Sequence, residues 1–240
     1  MDRARFSAIA HTGLSFLNPL PASFFDEVAG SVRLAPGERL IELGCGKAEL
    51  LLRLAERHGV AATGIDRSAH FLDEGRRAAA VRLPDGAVEL LQADAAGWPL
   101  GSSRWAMSIC IGSGPLASVA ALAAAVPAGG WVLAGDAHWR GDPPPDLLAA
   151  LGCTRGDLPE AHALEAEAER AGLVPILLRS ASTSEWDAYE AAWLANVERW
   201  AEDHPLDPER DAFLARARAG NERHRRFGPL GFTVGLFRKR

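Results

Sequence analysis

The residues best suited to chemistry lie in one stretch, Arg39-Leu40-Ile41-Glu42-Leu43-Gly44-Cys45-Gly46-Lys47-Ala48-Glu49-Leu50. A short apolar run ends on an acid and two glycines, and an amphipathic helical pattern follows at once. Glycines let backbone N–H groups come close to a ligand, and the free N–H groups of a helix start favour an anion. Two more carboxylates close later apolar runs: Asp66, 22 positions after Gly44, and Asp94. A carboxylate in the place of Asp66 can accept hydrogen bonds from both hydroxyls of a ribose. The set suits a ligand that contains adenosine.

Two common nucleotide sites fit poorly. Dinucleotide binding wants G-x-G-x-x-G, whose third glycine lets the helix pack closely on the strand. Here Glu49 holds that third position, which weakens the case for NAD. No Gly-Lys-Ser/Thr follows the glycines, so a P-loop is excluded.

The elements that must carry these residues follow from periodicity. Short apolar runs predict strands at 39–43, 61–65, 87–92, 105–111, 131–135, 174–181 and 230–237. Helical periods fall between them at 48–58, from the cap Ser68 to about Leu83, and at 115–126 and 158–171. Two more stretches, 183–203 and 207–226, are split by His204-Pro205. Asp142-Pro143-Pro144-Pro145-Asp146 reads as loop, because proline suits neither a helix interior nor a central strand. In residues 1–30, Ser23 is placed to cap a helix through Val28. That segment either covers a sheet edge or forms a lid that turns His11 and Asn18 toward a pocket. The alternation indicates βαβ units with right-handed crossovers, and ligands of such sheets bind at the C-terminal strand ends.

Composition removes several classes. The 240 residues carry a net charge of −5, unlike the basic domains of general nucleic-acid binders. The arginines Arg216, Arg218, Arg223, Arg225 and Arg226 form either a basic stripe or a solvated helix face. Three cysteines without a CxxC pair support neither a disulfide framework nor structural zinc, and no metal cluster is evident. No apolar run reaches about 18 residues, and the first residues lack the apolar core of a signal peptide. A cytoplasmic protein without a membrane span is expected.

Four ordered motifs now carry a family resemblance. Glu42-x-Gly44-x-Gly46, Gly64-Ile65-Asp66-Arg67-Ser68, Gln92-Ala93-Asp94-Ala95 and Val126-Pro127-Ala128-Gly129-Gly130-Trp131-Val132-Leu133 together resemble class I S-adenosylmethionine-dependent methyltransferases. The resemblance runs from about Glu38 to Asp136 and continues more weakly beyond. One departure is Ala48, where that family often has a third glycine. The expected architecture is α/β: a Rossmann-like, mostly parallel seven-stranded sheet with helices on both faces. Its last strand is antiparallel, and a helical insertion separates strands six and seven. A single domain is expected, with a cap (1–30), a cofactor-binding core (31–182), a helical lid (183–226) and the last strand (227–240).

The resemblance also implies roles. S-adenosylmethionine is the implied cofactor and S-adenosylhomocysteine its product. Gly44, Cys45 and Gly46 would pass under the methionyl part, with Glu42 ordering the turn or facing the ammonium. Asp66 would bind the ribose, Arg67 would lie beside the adenine, and Asp94 with the Ala95 N–H would meet the adenine edge. Ile111 and Gly112 would line the cofactor with backbone atoms.

The acceptor side is less marked. After strand four the chain reads Ile111-Gly112-Ser113-Gly114-Pro115, without the Asn-Pro-Pro-Tyr type signature of amino methyltransferases acting on bases and glutamine. Asp136-Ala137-His138-Trp139-Arg140 and Thr183-x-x-Trp186-x-x-Tyr189-x-x-x-Trp193 are similar to segments of uncharacterised bacterial small-molecule methyltransferases. Histidine is a residue type suited to base work, which makes His138 a candidate with Asp136 placed to orient it; the other reading is a loop histidine without a chemical part. Trp139, Arg140, Trp186, Tyr189 and Trp193, with His11 and Asn18, are candidate acceptor contacts. The stripe Trp186, Tyr189, Trp193, Val197, Trp200 lies on one helix face and either packs into the core or roofs the pocket. Methyl transfer to a small molecule is the expected function. A non-catalytic cofactor-binding protein, an RNA methyltransferase and, less favoured, an NAD-dependent oxidoreductase remain the alternatives.

Overall fold

A computed structural model describes residues 1–114, 116–228 and 230–240. Two helices come first, α1 (Arg3–Ala10) and α2 (Ala22–Ser31). Then β1 (Arg39–Leu43), α3 (Glu49–His58), β2 (Ala61–Asp66), α4 (Ala69–Arg82) and β3 (Val88–Gln92) alternate. They are followed by β4 (Met107–Ile111), α5 (Val119–Ala125), β5 (Trp131–His138), α6 (Pro145–Leu151), α7 (Ala163–Arg170) and β6 (Leu173–Ser180). The pair α8 (Thr183–Asp203) and α9 (Arg210–Phe227) precedes β7 (Gly231–Lys239).

The seven strands form one sheet in the order β3-β2-β1-β4-β5-β7-β6. The first five pair in parallel, and β7 runs antiparallel between β5 and β6. Strand order reverses between β1 and β4, which opens a crevice at their C-terminal ends. Both faces of the sheet are covered. Leu40 packs on the side of α2 and α3, and Ile41 and Leu43 pack on the side of α5 and α7. That two-sided burial is why β1 reads as a continuous apolar run rather than an alternating one. A third buried cluster, Phe6, Ala10, Val197, Phe213 and Ala217, joins α1 to α8 and α9.

Several boundaries differ from the sequence reading, each for a local reason. Pro145 is not loop but the first residue of α6, where its missing N–H costs nothing. The cap holds two helices; α1 is started by Asp2, whose carboxylate accepts from the N–H groups of Ala4 and Arg5. The expected start of a helix at residue 115 lies outside the described residues, and α5 begins at Val119 behind the cap Ser118. α7 is shorter than 158–171, because a 3₁₀ turn at Arg155–Asp157 takes up the approach to it. The strand placed at 131–135 continues to His138, held by β7 in the register Asp136↔Thr233, Ala137↔Phe232 and His138↔Gly231. Among the described residues, no helix is long and apolar enough to cross a membrane.

Candidate active site

The glycine turn after β1 is folded back onto β2. The N–H groups of Gly44 and Cys45 both donate to the Ile65 carbonyl, at 2.8 and 3.1 Å. Gly44 has φ +72°, and a Cβ there would lie 2.0 Å from Ser113 Oγ. Gly46 has φ +52°, and a Cβ there would lie 2.7 Å from Leu17 Cδ1. Neither position accepts a side chain without displacing the pocket wall. Asp66 fastens the turn from the other strand. Its Oδ2 accepts from Gly46 N–H at 2.9 Å and its Oδ1 from Ser68 N–H at 2.8 Å, which leaves lone pairs directed outward. Ala48 enters α3 with φ +59°, the left-handed region, and α3 starts with no side-chain cap.

Glu42 is the group whose state matters most. Its side chain is buried, and Oε2 has no hydrogen-bond partner. Burial, with the Asp66 charge adding to it, pushes the carboxyl up to about 8. A buried acceptor left unpaired costs about 1–3 kcal/mol, and a cationic ligand group would remove that cost. Burial also pushes the Cys45 thiol well up, so this cysteine contributes shape rather than a nucleophile.

A cavity of about 660 Å³ opens over this turn. Glu42, Gly44, Cys45, Gly46, Asp66, Arg67, Asp94, Ala95, Ile111 and Gly112 all line it, so the fold brings together every residue assigned to the cofactor from the sequence. At its edge Asp94 is exposed and accepts from Ala96 N–H at 2.9 Å.

The roof comes from the N-terminal segment, through residues such as Arg3, Ser7, His11, Ser15, Leu17 and Asn18. His11 Nδ1 lies 2.7 Å from the Ser7 carbonyl and Nε2 lies 2.9 Å from Tyr189 Oη. The ring therefore donates from Nδ1 and accepts the tyrosine hydroxyl at Nε2. Burial, with the Lys47 charge adding to it, pushes this imidazole down to about 4. Lys47 joins roof to floor: its buried ammonium donates to the His11 carbonyl at 2.9 Å and pairs with Glu74 at 2.8 Å. Asn18 Oδ1 accepts from Leu20 N–H at 3.0 Å, and its side chain packs over Gly112.

The remaining assigned residues stand apart from the lining. His138 is buried within β5, with Nδ1 2.9 Å from the Trp139 carbonyl and Nε2 2.8 Å from Thr233 Oγ1. Both nitrogens are occupied, and the structure does not bring the ring to the cavity. Asp136 is half-buried, bonded to Ala137 N–H at 2.7 Å, and its carboxyl is pushed up by burial. Trp139 is a wedge whose indole N–H donates to the Arg155 carbonyl at 2.8 Å. Arg140 ties the end of β5 to the start of α8 through Thr183 Oγ1 and the Ala181 carbonyl. Of the aromatic stripe, Trp193 packs edge-on to Phe6 and His11, Trp186 edge-on to Phe232, and Val197 is fully buried. The stripe packs into the core against α1, α9 and β7, and both Tyr189 and Trp193 touch the roof residue His11.

Some lining residues escaped the sequence reading. Lys47 lies inside the glycine stretch but was given no role there, although a lysine beside a glycine turn is a signal in itself. Arg3 and Ser7 share one face of α1 with His11, which the sequence did single out, but the short helix hid the period that joins them.

A doubly wound sheet with a glycine turn, two strand-end carboxylates and an unpaired buried glutamate over one cavity defines a site for a cationic adenosine-containing cofactor. Comparison with known proteins agrees. Residues 40–128 match the family described as a methyltransferase domain. The chain is similar to a SAM-dependent methyltransferase from Thiobacillus denitrificans solved with S-adenosyl-L-homocysteine, with 27% identity, all of both chains covered and a TM-score of 0.85. A SAM-dependent methyltransferase from Geobacter sulfurreducens, also solved with S-adenosyl-L-homocysteine, gives 28% identity, 98% of each chain and a TM-score of 0.85. The uncharacterised Escherichia coli protein YjhP is 29% identical over 226 residues, 91% of this chain and 89% of that protein. The fold and these likenesses together support a class I S-adenosylmethionine-dependent methyltransferase.

Proposed function

We propose that the protein transfers the methyl group of S-adenosylmethionine to a small-molecule acceptor within the cavity under α1. The observation that carries this reading is the roofed cavity itself. Its volume of about 660 Å³ falls among small-molecule sites, roughly 300–1,000 Å³. The roof, tied down by Lys47, covers the glycine turn, which favours a small acceptor over a polymer.

In this reading Glu42 takes the methionyl ammonium, and the glycine turn keeps side chains out of the methionyl path. Asp66 takes the ribose hydroxyls, Arg67 flanks the adenine, and Asp94 with Ala95 N–H holds the adenine edge. Ile111 and Gly112 close the strand-four side. S-adenosylmethionine supplies the electrophilic methyl carbon. The chain contributes alignment and exclusion of water, and proximity of this kind is worth up to about 7–11 kcal/mol of barrier. The neutral His11 ring donates its one proton to the Ser7 carbonyl and accepts from Tyr189 at Nε2, which favours an acceptor atom that attacks with a lone pair already free. Three scattered cysteines with free thiols accord with a cytoplasmic setting.

Calorimetric titration with S-adenosylhomocysteine tests the reading: micromolar binding is expected, and no heat on folded protein overturns it. Asp66→Ala is expected to weaken binding tenfold or more, because it removes the ribose acceptor and the anchor of Gly46 N–H together. Unchanged affinity would refute its role.

A further inference from the structure

The cavity is divided by charge. On its floor the acids Glu42 and Asp66 face inward, and Lys47 is neutralised by Glu74. At the ends of the neighbouring strands β2 and β3 stand Arg67 and Asp94, of opposite sign. The roof holds hydroxyls, an amide, the neutral His11 and one charged side chain, Arg3.

Arg3 has no acid to answer it among the described residues. Its neighbour Arg5, on the opposite side of α1, is bound by Asp207 and Glu209. α1 is therefore turned with Phe6 and Ala10 into the cluster with α8 and α9, and with Arg3, Ser7 and His11 over the cavity. Arg3 also sits in the first turn of that helix, where the dipole disfavours a cation. Neither packing nor pairing within the fold accounts for it there.

Its position separates it from the cofactor's own carboxylate. The His11 end of α1 is tied to the glycine turn through Lys47, and the Arg3 end lies next to the α8–α9 turn. Eight residues of helix put the two ends about 12 Å apart. In the reading above the methionyl group lies at the glycine turn, whereas Arg3 lines the cavity from the Glu209 end of α1.

We propose that Arg3 binds an acidic group, a carboxylate or a phosphate, on the acceptor. This rests on the methyltransferase reading and narrows its acceptor to an anion. A guanidinium fork matches either group through paired N–H donors. An anionic acceptor would also be drawn toward the cationic sulfonium.

The test uses protein saturated with S-adenosylhomocysteine, titrated calorimetrically with inorganic phosphate, with benzoate and with benzamide, the neutral counterpart of benzoate. Millimolar binding of at least one anion is expected, with benzamide silent. Arg3→Gln should weaken anion binding tenfold or more, Arg3→Lys should recover part of it, and the affinity for S-adenosylhomocysteine should stay within threefold in both. Arg3 is exposed, so both variants are expected to fold, with an unchanged Tm as the check. Anion binding unaffected by Arg3→Gln, or absent in the wild-type protein, overturns the proposal. A tenfold loss of S-adenosylhomocysteine affinity in Arg3→Gln also overturns it, by assigning the side chain to the cofactor's carboxylate. Failure of the wild-type protein to bind S-adenosylhomocysteine at all would instead remove the methyltransferase reading beneath it.

Discussion

Glu42 couples the cofactor site to pH. With its carboxyl pushed up to about 8, it carries a proton at neutral pH in the free protein. An ammonium brought beside it favours the ionised form, so binding releases a proton. Affinity for S-adenosylhomocysteine should therefore rise between pH 6 and 8, by at most about tenfold per unit. Calorimetry in two buffers of different ionisation enthalpy would detect the released proton. The stability effect has the opposite sense. The folded value lies above the unfolded one, so the contribution is complete below about 4.5 and lost as pH rises through about 8. Glu42→Gln should flatten the fall of Tm across that window while weakening the cofactor. The residues at this scale that sequence exposed best were those whose chemistry is local. Gly44, Gly46, Asp66 and Asp94 sit at strand ends, where a turn and an acid announce themselves. His138 behaves differently because its surroundings are supplied by Thr233, far along the chain, and no local pattern carries that information.

At the scale of elements, the start of α3 stores strain that a substitution can read. Ala48 is fully buried in the left-handed region, at a cost of about 1–2 kcal/mol for a residue with a Cβ. Ala48→Gly relieves that strain but gives up a buried methyl worth about 0.8 kcal/mol, so it should change stability by less than about 1 kcal/mol. Ala48→Val adds β-branching and volume and should cost about 2 kcal/mol or more, with weaker cofactor binding. Denaturant midpoints and a cofactor titration check both. Helix and strand identity was legible wherever the period was long, as in α8, whose bounds Thr183–Asp203 match the pattern. The short helices were not. α1 has eight residues and its polar face turned inward over the cavity, so its amphipathicity points the wrong way for a surface helix. α6 began on a proline within a run that reads as loop.

Across the whole molecule, the sheet depends on β7. Phe232, Val234, Leu236 and Phe237 are buried on it, and it is the neighbour of both β5 and β6. Burying four such side chains is worth about 6–12 kcal/mol, comparable with the net stability of a typical domain, about 5–15 kcal/mol. A chain stopped after Gly228 should therefore fail to give a cooperative thermal transition, which calorimetry would test. The order of the central strands was within reach of pattern and crossover rules, whereas the place of β7 between β5 and β6 rests on long-range pairing that no window of sequence contains. That place also sets a clock on synthesis. β6 leaves the ribosome roughly fifty residues before its partner strand, a wait of about 3–10 s at 5–20 residues per second. Through that interval Val174, Ile176 and Leu178 belong to a strand with no neighbour on either side. The newborn chain is most vulnerable to aggregation then, and slower translation of the α8–α9 segment would lengthen the hazard.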